Sequence, residues 1–308
     1  MKLVFCGTPE FAVGTLEAVI AAGHEVVLVL TQPDRAAGRK MEVQVGAVKA
    51  AALRRGISVM QPEKIRHNAE LRARLMEMQP DAILVVAYGR ILPEWMLELP
   101  RFGCVNLHGS LLPKYRGAAP IQWAVANGET HTGVTTMRLN AGLDTGPMLL
   151  AQVEPIAPEE TAEDLFESLA AIGADLMVKT LVELEQGTTY PVEQNHEAAT
   201  LAPMLTREDG RIDFSRTAVE IVNRWRGFQP WPGAFTTLRG KKLIVHRMKV
   251  ATGAGLEGVV VVDGDRLLVG CRESSVEFEE VQMEGKKRMA AEEFLRGFQV
   301  KTGERVGG

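Results

Sequence analysis

The sequence predicts an α/β fold: a mostly parallel sheet with helices on both faces, followed by a smaller β-barrel. Three observations carry this. Residues 2–30 run strand, helix, strand; the wholly apolar run Ala82 to Ala87 reads as a further buried strand; and short apolar runs separated by glycine crowd together beyond residue 240. Strands joined by a helical crossover pair in parallel, whereas several short strands at close spacing suit a barrel.

Taken in order, Lys2-Leu3-Val4-Phe5-Cys6 is a buried strand and Gly7-Thr8-Pro9 its turn. Glu10 to Ala22 follows as an amphipathic helix with Phe11, Val13, Leu16 and Val19 on its apolar side. Glu25 to Leu30 is the next strand. Thr31 to Lys40 is a polar loop with three basic residues, too irregular for a helix interior, and is expected to be exposed and mobile. Residues 46–55 and Asn68 to Met78 are helical around a short strand at Ile57 to Met60. Phe102 to Leu107 is a strand, Pro120 to Asn127 a short helix, Thr132 to Met137 a β-branched run, and Met148 to Val153 an edge strand. Thr161 opens a long helix to Glu185, with Asp164 three residues on as the partner of a capping box.

From Thr188 to Leu205 the periodicity fades and Pro191 and Pro203 intervene, so residues 190–207 are expected to link a catalytic domain over 1–189 to a second domain over 208–308. There Thr217 to Trp225 is a helix and Pro230 to Ala234 a rigid aromatic turn. Lys242 to Val250, Gly258 to Val262, Arg266 to Gly270 and Ser275 to Val281 are the strands.

With 308 residues, 46% of them hydrophobic, the chain can bury two cores. No run approaches a membrane span, and strand pattern begins at Met1 without a cleavage region, so a soluble cytoplasmic protein is expected. Cys6, Cys104 and Cys271 lie far apart without ligand spacing, which indicates neither a disulfide framework nor a metal site. A dinucleotide fingerprint is missing, because Gly7 is followed by Thr8-Pro9 and the next glycine is Gly14. Net charge is −4, yet residues 1–204 carry 17 Lys+Arg against 24 Asp+Glu (−7) and residues 205–308 carry 18 against 15 (+3). A mildly basic tail half hints at a polyanionic partner.

The chemistry concentrates at Asn106-Leu107-His108-Gly109-Ser110-Leu111-Leu112-Pro113. A two-residue strand period sends Asn106 and His108 to one side, and ligands bind beyond the carboxyl ends of such strands. Asn140 to Pro147, another glycine-rich turn after a strand, adds the carboxylate of Asp144. Asn offers N–H to a developing oxyanion, His a hydrogen bond or a proton, and Asp can orient that imidazole. No Ser or Cys stands in a strained elbow, so direct attack by a substrate amine or water is favoured over an acyl-enzyme.

Taken together, Val4 to Ala12, Thr31-Gln32-Pro33-Asp34-Arg35 with Ala37-Gly38-Arg39, Asn106 to Pro113 with Arg116 to Gln122, and Gly142-Leu143-Asp144-Thr145-Gly146 resemble the folate-dependent formyltransferases that act on methionyl-tRNA. The resemblance continues through Ile212-Asp213-Phe214, Asn223, Arg226 and Pro230 to Ala234, and so runs end to end. It implies a Rossmann-like catalytic domain and an OB-like C-terminal barrel. It also implies formyl transfer from 10-formyltetrahydrofolate to methionine on initiator tRNA, in a monomer with no metal. By position it makes Asn106, His108 and Asp144 catalytic, and lines the folate site with Ser110, Leu111, Leu112 and Pro113. Val86 to Leu92 borders the pterin, and Arg35, Arg39 and Lys40 meet the tRNA. Met204 and Arg207 stand where the family commonly has lysines, and Met204 cannot replace a phosphate contact.

Two rivals remain at this level. An amino-sugar nucleotide or water could be the acceptor at the same catalytic groups, or the chain could be a non-catalytic RNA-binding relative.

Overall fold

The computed structural model describes residues 1–37, 42–253 and 255–307, with 35–37 and 42–44 as backbone. Contacts divide the chain into two compact units: residues 1–120, 131–155 and 166–203, and residues 121–130, 156–165 and 204–308.

In the first unit the strands are β1 (Lys2–Gly7), β2 (Glu25–Leu30), β3 (Arg35–Ala37), β4 (Glu42–Gln44), β5 (Val59–Met60), β6 (Ala82–Val86), β7 (Cys104–His108), β8 (Arg116–Gly117), β9 (His131–Arg138) and β10 (Met148–Pro155). Seven of them form one sheet in the order β10-β9-β7-β6-β1-β2-β5. β7, β6, β1, β2 and β5 pair in parallel, while β9 and β10 join antiparallel, so the expected parallel sheet and its antiparallel edge are both present. The sheet turns its order at β1, which carries β2 on one side and β6 on the other.

Alternation along the strands makes two cores. Val4, Cys6, Leu28, Leu30, Ile83, Val85 and Cys104 pack with Leu71 and Leu75 of helix α3 (Ala69–Met78), following α1 (Val13–Ala21) and α2 (Ala47–Arg54) in the chain. On the opposite face Leu107 lies against Gly173 of the long helix α6 (Ala162–Gln186), where an added Cβ would stand 2.6 Å from Leu107 Cδ2. Short helices α4 (Glu94–Leu97) and α5 (Pro120–Ala126) precede it. The helix expected from Glu10 begins instead with a 3-10 turn over Glu10–Ala12 before α1. The expected loop after Thr31 carries a two-stranded antiparallel ribbon, β3 with β4.

The second unit contains α7 (Ala218–Gly227) after the two-residue strand β11 (Leu201–Ala202) of the first. A six-stranded antiparallel sheet follows: β12 (Phe235–Leu238), β13 (Lys241–Ala251), β14 (Val260–Asp263), β15 (Arg266–Gly270), β16 (Ser275–Met283) and β17 (Met289–Ala290). Its order β12-β13-β16-β15-β14 leaves β12 and β14 as edges, and the C-terminal segment joins them: Val306 bridges Leu238 and Arg305 bridges Val259. That curls the sheet into the expected OB-like barrel. Its core is plugged by Ile221 of α7 and by Phe294 and Leu295 of α8 (Ala291–Phe298), a helix the strand-by-strand reading passed over.

At the start of α6, Asp164 accepts hydrogen bonds from the Thr161 hydroxyl (2.6 Å) and N–H (2.9 Å), while Thr161 Oγ1 accepts from the Asp164 N–H (3.3 Å). The hydroxyl bond, then the backbone bond, hold the Asp164 carboxyl below its ordinary 3.8. A carboxylate with a lowered folded-state pKa stabilises the fold above its unfolded value and loses that contribution as pH falls through the lowered one. Thr161→Ala is therefore expected to cost about 1 kcal/mol in urea unfolding at pH 7, and the deficit of Asp164→Ala to hold down to about pH 5 and fade below about pH 3.

Candidate active site

β7 is the strand from which the site is built. Cys104 faces the α3 core, so alternation turns Asn106 and His108 to that same side, two residues or about 7 Å apart along the strand. Both are nearly buried, at 8% and 5% exposure. The Asn106 carboxamide has no hydrogen-bond partner among the described residues, and its polar atoms are not enclosed, so its N–H and C=O stay open to a ligand.

His108 is fixed by its neighbours. Its Nε2 lies 2.9 Å from the Tyr115 carbonyl oxygen, and a carbonyl only accepts, so Nε2 carries a proton and donates. That leaves Nδ1 as the nitrogen free to gain or lose a proton. Nδ1 faces Asp144 Oδ2 at 3.7 Å, an ion-pair separation longer than a hydrogen bond. The same Oδ2 accepts the Gly117 N–H at 2.9 Å. Asp144 sits at φ 50° in a turn pressed against the end of β9, where a Cβ on Gly146 would stand 1.9 Å from the Arg138 carbonyl oxygen. The structure thus brings Asn106, His108 and Asp144 together.

The loop after β7 is pinned from within. Ser110 is fully buried and its hydroxyl donates to the Lys114 carbonyl at 2.7 Å. Thr135, opposite His108 on β9, donates to the Ser110 carbonyl (2.7 Å) and accepts from the Leu112 N–H (3.2 Å). Of the expected folate-lining residues, Ser110 and Leu112 are therefore internal to the loop, while Leu111 and Pro113 are half-buried and present its surface. Thr135 and the Tyr115 carbonyl carry no sequence signal that singles them out.

Arg39 and Lys40 lie outside the described residues, and Arg35 is described as backbone, paired with Gln44. The foot of the β3–β4 ribbon is held by Asp34, whose carboxylate pairs with Lys49 and accepts from Gln61 Nε2 (2.9 Å) and the Gly46 N–H (3.4 Å). The Lys49 and Gln61 bonds hold its carboxyl below the usual value. Among the described residues no three His, Cys, Asp or Glu side chains gather as metal ligands, and no helix is long and apolar enough to cross a membrane.

The profile of the formyl transferase family matches residues 1–181, and that of the formyl transferase C-terminal domain matches residues 204–299. The chain belongs to the formyl transferase family. It is 62% identical over 300 residues to the methionyl-tRNA formyltransferase of Acidobacterium capsulatum, covering 96% of each chain. Against that of Koribacter versatilis it is 54% identical over 308 residues, 100% of this chain and 99% of the other. Two solved structures share the fold at lower identity. One is an N-formyltransferase from Helicobacter canadensis in complex with folinic acid and dTDP-3-aminofucose (TM-score 0.66, 20% identity, 92% of this chain and 99% of that one). The other is HypX from Aquifex aeolicus with tetrahydrofolic acid (TM-score 0.61, 15% identity), of which this chain, covered to 98%, spans 48%.

Gly117, at φ 124°, combines a left-handed backbone with no room for a side chain: a Cβ there would lie 2.6 Å from the Ala202 carbonyl oxygen. Gly117→Ala is expected to destabilise the fold by about 1–3 kcal/mol from its backbone dihedral alone, with the clash added. Thermal unfolding of the purified variant measures it.

Proposed function

We propose that this formyltransferase moves the formyl group of 10-formyltetrahydrofolate to the α-amino group of methionine carried by initiator tRNA, in the cytoplasm, for translation initiation. One observation carries the reading most directly: the unpartnered carboxamide of Asn106 on the same face of β7 as His108, whose ring is held by the Tyr115 carbonyl and faces Asp144. The acceptor is supported by the identity to methionyl-tRNA formyltransferases along the whole chain.

The folate supplies, when bound, a formyl group on a nitrogen that can leave. Asn106 N–H would donate to the formyl oxygen as attack by the neutral amine makes it negative, and His108 would donate from Nδ1 to the same centre. Asp144 would stabilise the imidazolium across 3.7 Å and receive the proton that the attacking amine sheds, for delivery to the leaving nitrogen. Leu111 and Pro113 would meet the folate ring. The unpartnered Asn106 amide fits such a ligand, because an acyl oxygen can accept its N–H.

We further propose a division of labour: residues 1–189 carry the transfer, residues 208–308 hold the tRNA, and residues 190–207 connect them. Arg35, Arg39 and Lys40 would approach the acceptor end. The second unit has a groove of about 570 Å³ lined by Arg211, Arg216, Arg224 and Arg305, alongside Glu208, Asp213 and Glu257, and its arginines suit a phosphate backbone. A monomer suffices, since all three candidate groups come from one chain.

Purified protein given 10-formyltetrahydrofolate and methionyl initiator tRNA is expected to yield formylmethionyl-tRNA. Parallel reactions with an amino-sugar nucleotide or no acceptor should yield neither a formylated sugar nor formate; product from either would move the acceptor. Asn106→Ala is expected to lower kcat by about 10²-fold or more, and a kcat within a few-fold of wild type would remove Asn106 from the mechanism.

A further inference from the structure

We propose that Gln194 is a positioning residue for the reaction: its carboxamide ties the Asp144 turn to the guanidinium of Arg116, the middle residue of the Tyr115–Gly117 segment, and so sets the placement of Asp144 against His108. The inference rests on the assignment of Asp144 and His108 above.

Gln194 is 4% exposed although it lies in a stretch whose neighbours are exposed. Its Nε2 donates to the carbonyl oxygens of Asp144 (2.9 Å) and Gly146 (2.7 Å), and its Oε1 accepts from Arg116 Nε (3.0 Å) and Nη2 (2.5 Å). Two donated and two accepted bonds use the whole capacity of a carboxamide. No apolar residue of this size could take its place without leaving buried carbonyls and a buried guanidinium unsatisfied.

Arg116, 7% exposed, is the centre of a three-residue frame. The residue before it, Tyr115, offers the carbonyl that fixes the His108 tautomer, and the residue after it, Gly117, donates the N–H that holds Asp144 Oδ2. Gln194 therefore grips the Asp144 turn by its carbonyls and the frame by its guanidinium. The Asp144 turn needs such a grip, because a non-glycine residue at φ 50° is held there by its surroundings.

The chain on either side of Gln194 is anchored to the same elements. Val192 exchanges backbone hydrogen bonds with Met148 (2.8 and 2.9 Å), just beyond the Asp144 turn. Thr200 accepts the Tyr115 N–H on its hydroxyl (2.8 Å) and the Arg116 N–H on its carbonyl (2.8 Å), and β11 then pairs in parallel with β8. The side chain of Gln194 is thus delivered in a fixed register.

A double-mutant cycle tests this in the full-length protein: wild type, Gln194→Ala, Asp144→Asn and the double variant, with kcat and KM for the folate donor and for the charged tRNA. Gln194→Ala is expected to lower kcat by about 10²-fold, the scale of an ångström-sized misplacement, with each KM within about threefold. In the Asp144→Asn background the same change should cost less than about threefold, because the carboxylate it places is gone. Gln194→Glu keeps the size and the bonds from Arg116 but lacks both N–H donors, and should reproduce the kcat loss even if the alanine variant folds poorly. A loss confined to KM, a full loss repeated in the Asp144→Asn background, or a wild-type kcat in Gln194→Glu would overturn the proposal. Failure of the wild type to formylate the charged tRNA would instead sink the functional reading.

Discussion

Three consecutive peptide units, Tyr115 to Gly117, hold both ionisable groups of the site. The Tyr115 carbonyl accepts the hydrogen bond that His108 Nε2–H donates, and the Gly117 N–H donates to Asp144 Oδ2. Neither side chain could find its place from its own strand or turn alone, since β7 and the Asp144 turn are separated by the whole of β9. Backbone groups make good fixtures here because they cannot change rotamer, and because leaving them unpaired in a buried site is costly. The remainder of the first unit serves this frame: Thr135 braces the loop leading into it, and the segment 192–202 closes it from outside.

That dependence explains which parts could be read from the sequence. β7, its apolar flank and the polar pair Asn106 and His108 follow from a local two-residue period, and α6 from a capping box three residues wide, so both stood in the pattern itself. Asp144 was visible because a glycine-rich turn after a β-branched run is also a local signal. Thr135 was not, because what singles it out is its register opposite His108 across two antiparallel strands. Gln194 was hidden for a similar reason. Its partners lie 48 to 78 residues away, and its surroundings carry prolines and exposed residues that resemble any connecting segment. The helix α8 escaped notice because it is only eight residues long and its apolar positions, Phe294, Leu295 and Phe298, follow closely on a run of short strands.

Folding the chain back on the site in this way has an energetic side. A polar segment without a hydrophobic stripe gains little from burial, so its ordering entropy must be met by hydrogen bonds that leave few buried groups unsatisfied. Val192, Gln194 and Thr200 each do so through partners in the site's own frame. The stability of the segment and the geometry of the site are therefore one set of interactions, and on the role proposed for Gln194 a substitution in it would act on the chemistry without touching a substrate.

The same bonds settle the direction in which protons can move. With Nε2 committed to the Tyr115 carbonyl, the imidazole exchanges protons only through Nδ1, on the side where Asp144 stands. Asp144 Oδ2 is occupied by the Gly117 N–H, whereas Oδ1 has no hydrogen-bond partner among the described residues. At 3.7 Å the carboxylate is too far from Nδ1 for a direct hydrogen bond. On the proposed function, His108 would aim a proton at the formyl oxygen while Asp144 would receive the proton of the amine. In that proposal the separation of the two groups, more than their identity, would let one act as donor and the other as base.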